Sequence, residues 1–235
     1  MSDDLPVAEI FGPTLQGEGP YAGRGASFVR LGGCNLSCSW CDTPYTWDGS
    51  RFDLRQELTS LSADEILKQL PAPAGLVVLT GGEPLLYAKK PAFLELLLGI
   101  RSMGRAVHIE TNGSIRPRRH VAEAVDVFVV SPKLPNARLS TGDGGSRLAP
   151  GWGDLARVAE VHLKFVCQTV EDVELAAHRA KQYGIDAAHT WVMPEALDAD
   201  QLAERWPAIC EAAIRVGLNA TSRLHLLAWG SKRGH

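Results

Sequence analysis

Cys34, Cys38 and Cys41 stand within eight positions of one another, in the run Gly32-Gly33-Cys34-Asn35-Leu36-Ser37-Cys38-Ser39-Trp40-Cys41-Asp42-Thr43, while Cys167 and Cys210 lie far away. Three thiolates at a C-x3-C-x2-C spacing on one short loop can converge on a single metal centre. Structural zinc takes four protein ligands, and no further Cys or His lies nearby, the first histidine being His108. Three cysteines on a [4Fe–4S] cluster leave one iron open to an exogenous ligand. On spacing alone, a zinc site completed by a distant His and incidental buried thiols stand beside the cluster as readings. A second group, Thr80-Gly81-Gly82-Glu83-Pro84, follows an apolar run. Its glycines suit either a turn or a close approach of backbone to a ligand.

The elements that must position these groups read as alternating strands and helices. Short β-branched runs cover residues 27–31, 76–79, 106–110, 125–130, 161–167 and 189–192, several ending at Gly or Pro. Runs that are continuous rather than alternating, with breakers at their carboxyl ends, read as buried parallel strands. Ser62 and Glu65 form a capping box ahead of Ile66, Leu67 and Leu70, and Pro91 suits the first turn of a helix over 93–103. Helices over 171–183 and 199–216 are each followed by a glycine, Gly184 and Gly217, with Pro207 predicting a kink or a division in the second. Strand-then-helix repetition implies right-handed crossovers and a parallel sheet. About six such units fall short of an eight-fold barrel, so the fold expected is α/β, an open partial (β/α)6 barrel in one domain. Residues 135–152, rich in glycine, read as a loop insertion.

Composition removes several function classes. The chain has 235 residues, 24 Lys plus Arg against 27 Asp plus Glu, and a net charge of −3. This balance lacks the basic footprint of a dedicated nucleic-acid binder. Five cysteines, three of them clustered, make a poor disulfide framework. The N-terminus has early acids and no signal-like apolar stretch, and no run approaches the ~20 residues needed to span a bilayer. A reducing cytoplasm is the expected setting, with no membrane association.

The cysteine loop, with Trp40 just before the last Cys, is similar to the cluster loop of the radical S-adenosylmethionine (SAM) enzymes, and Thr80-Gly81-Gly82-Glu83-Pro84 resembles that superfamily's glycine-rich SAM-binding motif. The resemblance narrows to the 7-carboxy-7-deazaguanine synthases. Phe11-Gly12-Pro13-Thr14-Leu15-Gln16-Gly17-Glu18-Gly19, Phe28-Val29-Arg30-Leu31-Gly32-Gly33-Cys34, Cys41-Asp42-Thr43 and Glu110-Thr111-Asn112-Gly113 carry it, with Ser131-Pro132-Lys133 and Leu224-His225-Leu226-Leu227-Ala228-Trp229-Gly230. These blocks run through nearly the whole chain, and imply one domain over 1–235: a radical SAM core with an N-terminal substrate-binding segment and a C-terminal tail. The implied reaction converts 6-carboxy-5,6,7,8-tetrahydropterin to 7-carboxy-7-deazaguanine with loss of ammonia, in queuosine biosynthesis. Its cofactors would be a [4Fe–4S] cluster, SAM and Mg²⁺. Its partners would be the pterin substrate, a flavodoxin- or ferredoxin-type reductant and a second copy in a homodimer, with no direct contact to nucleic acid.

Residue by residue, the resemblance gives Cys34, Cys38 and Cys41 to the cluster, and Trp40, Cys41, Asp42, Gly82, Ser131, Pro132 and Lys133 to SAM. Thr43 becomes the Mg²⁺ ligand, against the plainer reading of a turn-capping Thr before Pro44. Leu15, Gln16, Gly17, Arg30, Thr80, Glu110 and His225 go to the substrate. Arg30, a charge inside an apolar run, suits the pterin carboxylate because its planar fork pairs bidentately. Glu110, at the end of another run, suits the N2 and N3 donors of the pterin. Either could instead be half of a structural ion pair. Met193-Pro194-Glu195-Ala196 occupies the place of a further SAM segment with a different composition. A radical SAM activase acting on a partner protein's glycine, and a non-catalytic zinc module, are the alternatives.

Overall fold

Six of the apolar runs become six parallel strands of one open sheet. The computed structural model of the chain describes residues 3–72, 75–140, 142 and 144–235. Its strands are β1 (Leu5–Leu15), β2 (Gly25–Leu31), β3 (Thr59–Leu61), β4 (Leu76–Gly81), β5 (Ala106–Thr111), β6 (Val127–Val130), β7 (Glu160–Cys167), β8 (Thr190–Pro194) and β9 (Asn219–Ala220). Helices α1 (Leu54–Glu57), α2 (Ala63–Gln69), α3 (Pro91–Ser102), α4 (Arg119–Ala122), α5 (Trp152–Leu155), α6 (Val170–Tyr183), α7 (Ala199–Val216) and α8 (Leu224–Trp229) occupy the connections and the tail. The sheet order is β3-β1-β2-β4-β5-β6-β7-β8-β9. β2 and β4 to β9 pair in parallel, whereas β1 pairs antiparallel with both β2 and β3.

Local signals set the helix ends. The Ser62–Glu65 capping box opens α2, Thr169 and Asp172 form another at α6, and Gly184 and Gly217 close α6 and α7 at φ of 70° and 71°, a left-handed cap that costs glycine little. Pro207 neither divides nor ends α7. Buried Leu202 on one side of it and Ile209, Ala212 and Ala213 on the other hold both halves down, which opposes the break a lone proline favours. Of residues 135–152, Thr141 and Asp143 lie outside the described residues; the segment carries a short 3-10 turn, Pro135–Ala137, and ends as α5 begins.

The strands are buried almost without interruption, as their continuous apolar runs predict, with β4 buried from Leu76 to Thr80 and β6 throughout, and successive side chains serve the two faces of the sheet. Val29, Leu31, Val77, Leu79, Val107, Ile109, Phe128, Val130, Leu163 and Phe165 point into one core with the helices. Each large side chain there contributes roughly 1.5–3 kcal/mol through burial. The intervening residues face the other side. At one end these are Ala26, Phe28, Leu76 and Val78, an apolar floor on which Phe11 stacks against Phe28 at 4.9 Å. At the carboxyl ends they are Arg30, Thr80, Glu110 and Lys164, with Arg30 in register beside Thr80 and Glu110 beside Val129. β1 is a strand that the run-and-breaker pattern does not predict: its register shifts between Val7 and Glu9 and again between Phe11 and Thr14 interrupt the alternation.

Candidate active site

The carboxyl ends of the parallel strands open into one cavity, the end where βα loops gather functional groups. Cys34, Cys38 and Cys41 line it from residues 32–43, the loop that follows β2. Backbone bonds dock that loop on β4: Gly82 N donates to Leu31 O at 3.0 Å and Glu83 N to Gly33 O at 2.8 Å. A Cβ on Gly82 would sit 1.8 Å from Gly33 O, so this contact requires glycine. The buried Glu83 carboxylate accepts the Leu85 and Asn112 N–H groups at 2.9 and 2.7 Å and the Thr111 hydroxyl at 2.7 Å. Burial pushes its pKa up against these bonds. Asn112 Nδ2 then donates to Asn35 Oδ1 at 3.0 Å, and Asn35 Nδ2 to Ser114 Oγ at 2.8 Å. From the other side, Ser39 N donates to Ala137 O at 2.9 Å and Trp40 Nε1 to Asn136 O at 3.1 Å.

The three thiols are free. Burial pushes Cys34 up to about 11 and raises Cys38 as well, so metal binding has to displace protons. Leu36 N approaches Cys34 Sγ at 3.4 Å and Trp47 Nε1 approaches Cys41 Sγ at 3.3 Å, contacts that stabilise thiolates. This soft donor set suits iron–sulfur ligation. Among the described residues no three His, Cys, Asp or Glu side chains are gathered closely enough to hold a lone ion. Thr43 is buried beside the same loop, its hydroxyl 3.8 Å from Cys41 Sγ. That hydroxyl does not cap the following turn; the carbonyl of Thr43 accepts the Thr46 hydroxyl instead, at 2.8 Å.

Glu110, in the cavity wall, is held at both carboxylate oxygens. Gln16 Nε2 donates to its Oε1 at 3.1 Å and the Thr80 hydroxyl to its Oε2 at 2.8 Å. Arg30 Nε donates to Glu9 Oε2 at 3.1 Å, which uses one of the five guanidinium N–H donors. His225 sits against Gly17, where a Cβ would lie 2.2 Å from its Nδ1, and burial lowers its pKa. Leu224 N donates to Gly17 O at 2.9 Å, so the tail is tied to the segment after β1. Lys133 donates to Ser131 Oγ at 2.9 Å and lies 5.6 Å from the Trp40 ring.

The cavity therefore brings together Leu15, Gln16, Gly17, Arg30, Trp40, Asp42, Thr43, Thr80, Gly82, Glu110, Ser131, Lys133 and His225 with the three cysteines. Pro132 is buried behind the wall and does not line it. Its neighbours Ser131 and Lys133 occupy the alternate positions, as an extended backbone requires. Met193 and Glu195 do line the cavity.

Sequence reasoning missed an ion chain. Lys164, 5% exposed, pairs with Glu18; Glu18 also accepts from Arg223 Nε at 2.8 Å, and Arg223 reaches Asp42. Burial raises the Glu18 carboxyl, but Lys164 and Arg223 outweigh it and hold that pKa well below the usual range. Four distant stretches of sequence thus meet in one network. Polar residues at alternate positions, His162 and Lys164 within the run 161–167, were the available signal for Lys164. His235 lines the cavity, and nearby in sequence Arg233 lies 3.7 Å from the Tyr45 ring and pairs with Glu57 at 2.9 Å.

Comparison with known proteins gives the family and the fold. A family model of the radical SAM superfamily matches residues 28–206. A 7-carboxy-7-deazaguanine synthase of Pyrobaculum aerophilum is 38% identical over 97% of this chain and 96% of its own length. The synthase of Bacillus subtilis is 33% identical over 100% of both chains. The crystal structure of QueE from Escherichia coli is similar at a TM-score of 0.67, with 26% identity and 94% of each chain covered. Streptococcus suis SuiB bound to S-adenosylmethionine, 15% identical, shares the fold at a TM-score of 0.55 over 80% of this chain and 48% of its own. The chain belongs to the radical SAM superfamily and, within it, to the 7-carboxy-7-deazaguanine synthase family.

Proposed function

We propose that this protein converts 6-carboxy-5,6,7,8-tetrahydropterin to 7-carboxy-7-deazaguanine, releasing ammonia. One observation carries the reading: three free cysteines and a carboxylate braced by an amide and a hydroxyl face the same cavity. Cys34, Cys38 and Cys41 would hold a [4Fe–4S] cluster, which when reduced supplies the electron that cleaves SAM to a 5′-deoxyadenosyl radical. Gly82, packed against Gly33 O where it lines the cavity, would meet the methionine amino group. Trp40, Asp42, Ser131 and Lys133 would frame the rest of SAM. Thr43 offers a hydroxyl to Mg²⁺, a cation that keeps waters and takes further oxygens from substrate.

On the substrate side, Glu110 accepts the N2 and N3 hydrogens of the pterin, and Gln16 and Thr80 keep its carboxylate from rotating. Arg30 pairs with the substrate carboxylate through the guanidinium donors that Glu9 does not take. His225, close against Gly17, narrows the pocket beside Leu15 and excludes water. A homodimer, a flavodoxin- or ferredoxin-type reductant and a cytoplasmic setting accompany this reading. No described helix is long and apolar enough to cross a membrane. The test is anaerobic reconstitution followed by SAM, dithionite, Mg²⁺ and the carboxytetrahydropterin. Formation of the deazapurine is expected; 5′-deoxyadenosine without it would leave a radical SAM enzyme of another specificity.

A further inference from the structure

Lys164 has no part in the mechanism above, yet its ammonium is buried in the cavity wall. Burying a cation costs several kcal/mol unless its donors are satisfied. Glu18 takes one of its three N–H donors. Arg223 shares that carboxylate at 2.8 Å and also pairs with Asp42, so charge balances within the chain, and what is left over on Lys164 is hydrogen-bond capacity. Glu110 Oε1 stands 4.0 Å from Lys164 Nζ, too far for a hydrogen bond. The ammonium therefore retains donor capacity beside a carboxylate that is fixed from the other side by Gln16 and Thr80.

A 2-amino-4-oxo pyrimidine ring presents N2–H, N3–H and the C4 oxygen in sequence along one edge. Two donors followed by an acceptor are matched by a carboxylate followed by a cationic donor, the order in which Glu110 and Lys164 stand. Resting on the pterin reading of this site, we propose that Lys164 donates to the C4 oxygen of the bound pterin and so determines specificity for the 4-oxo ring. A site that offers a buried donor rejects ligands that cannot accept it.

The test uses the reconstituted holoenzyme with SAM and two unreactive ligands, oxidised pterin-6-carboxylate and its 4-thioxo analogue, titrated by calorimetry. The analogue keeps N2–H, N3–H and the carboxylate, and replaces only the C4 oxygen by a weaker acceptor. The wild-type protein is expected to favour the 4-oxo ligand by about tenfold, the scale of one charge-assisted hydrogen bond. Lys164→Met should bring that preference within about twofold, and Lys164→Arg should retain part of it. The charge-balanced double variant Glu18→Gln/Lys164→Met, checked by thermal melting, should show the same lost preference if the single variant folds poorly. An undiminished preference in folded Met variants, with both ligands weakened equally, would overturn the proposal, as would a wild type without preference. A wild-type holoenzyme that binds neither ligand would instead overturn the pterin reading, and the role of Lys164 with it.

Discussion

The two faces of the sheet use the same strands for opposite purposes. On the helix side, Leu79, Ile109, Phe128 and Phe165 are fully buried in one apolar core. One residue along, on the open side, Thr80, Glu110 and Lys164 are braced by hydrogen bonds and ion pairs and line a cavity. Because successive side chains in a strand point to opposite faces, a packed core fixes the positions of charged groups one residue away. Rigidity comes from one face and chemistry from the other, so substitutions on the two faces should fail in different ways.

The largest separation is expected at the cysteine loop. Cys38→Ala should abolish SAM cleavage, read as 5′-deoxyadenosine, while leaving thermal stability within about 1 kcal/mol for this partly exposed residue. Retained cleavage with full iron content would contradict the ligand assignment. On the helix face, Phe128→Ala removes a fully buried ring that meets Trp152 edge-on at 5.4 Å. It should cost about 3–5 kcal/mol in urea unfolding, with KM unchanged for the molecules that stay folded.

The floor of the open face gives an intermediate effect that depends on pH. Burial pushes His108 down to about 4, and its Nδ1 has no hydrogen-bond partner. Between pH 6.5 and 4 the unfolded chain binds this proton and the folded chain does not, so stability falls as pH falls through that window, by up to about 3 kcal/mol. His108→Phe should flatten the decline above pH 4.5; an unchanged curve would place the acid sensitivity elsewhere. The smallest effect is expected at Arg30. Arg30→Ala should raise KM by about tenfold or more, with a smaller change in kcat, since it removes a contact made to the bound substrate. An unchanged KM would assign Arg30 to Glu9 alone.

The parallel strands and the glycines that end α6 and α7 were legible because each depends on neighbours in sequence. β1 was hidden because its register shifts break the two-residue period and its residues read as a binding motif. The ion chain was out of reach for a different reason. Glu18 and Arg223 are 205 positions apart, and nothing local marks one as the partner of the other. Lys164 was the intermediate case: its alternation with helix-facing Leu163 and Phe165 is visible in the sequence, but only a curved sheet with one polar face gives that alternation meaning. The cysteine triad and Gly82 were readable as chemistry, whereas the 1.8 Å conflict that demands glycine depends on how the loop folds over β4.

The central claim, that cluster loop and pterin edge share one cavity, is tested most directly by product balance in the anaerobic reaction. The account predicts 7-carboxy-7-deazaguanine and ammonia in equal amounts, with SAM regenerated and little 5′-deoxyadenosine accumulating. Accumulation of 5′-deoxyadenosine in step with SAM loss, with the carboxytetrahydropterin unchanged, would contradict it.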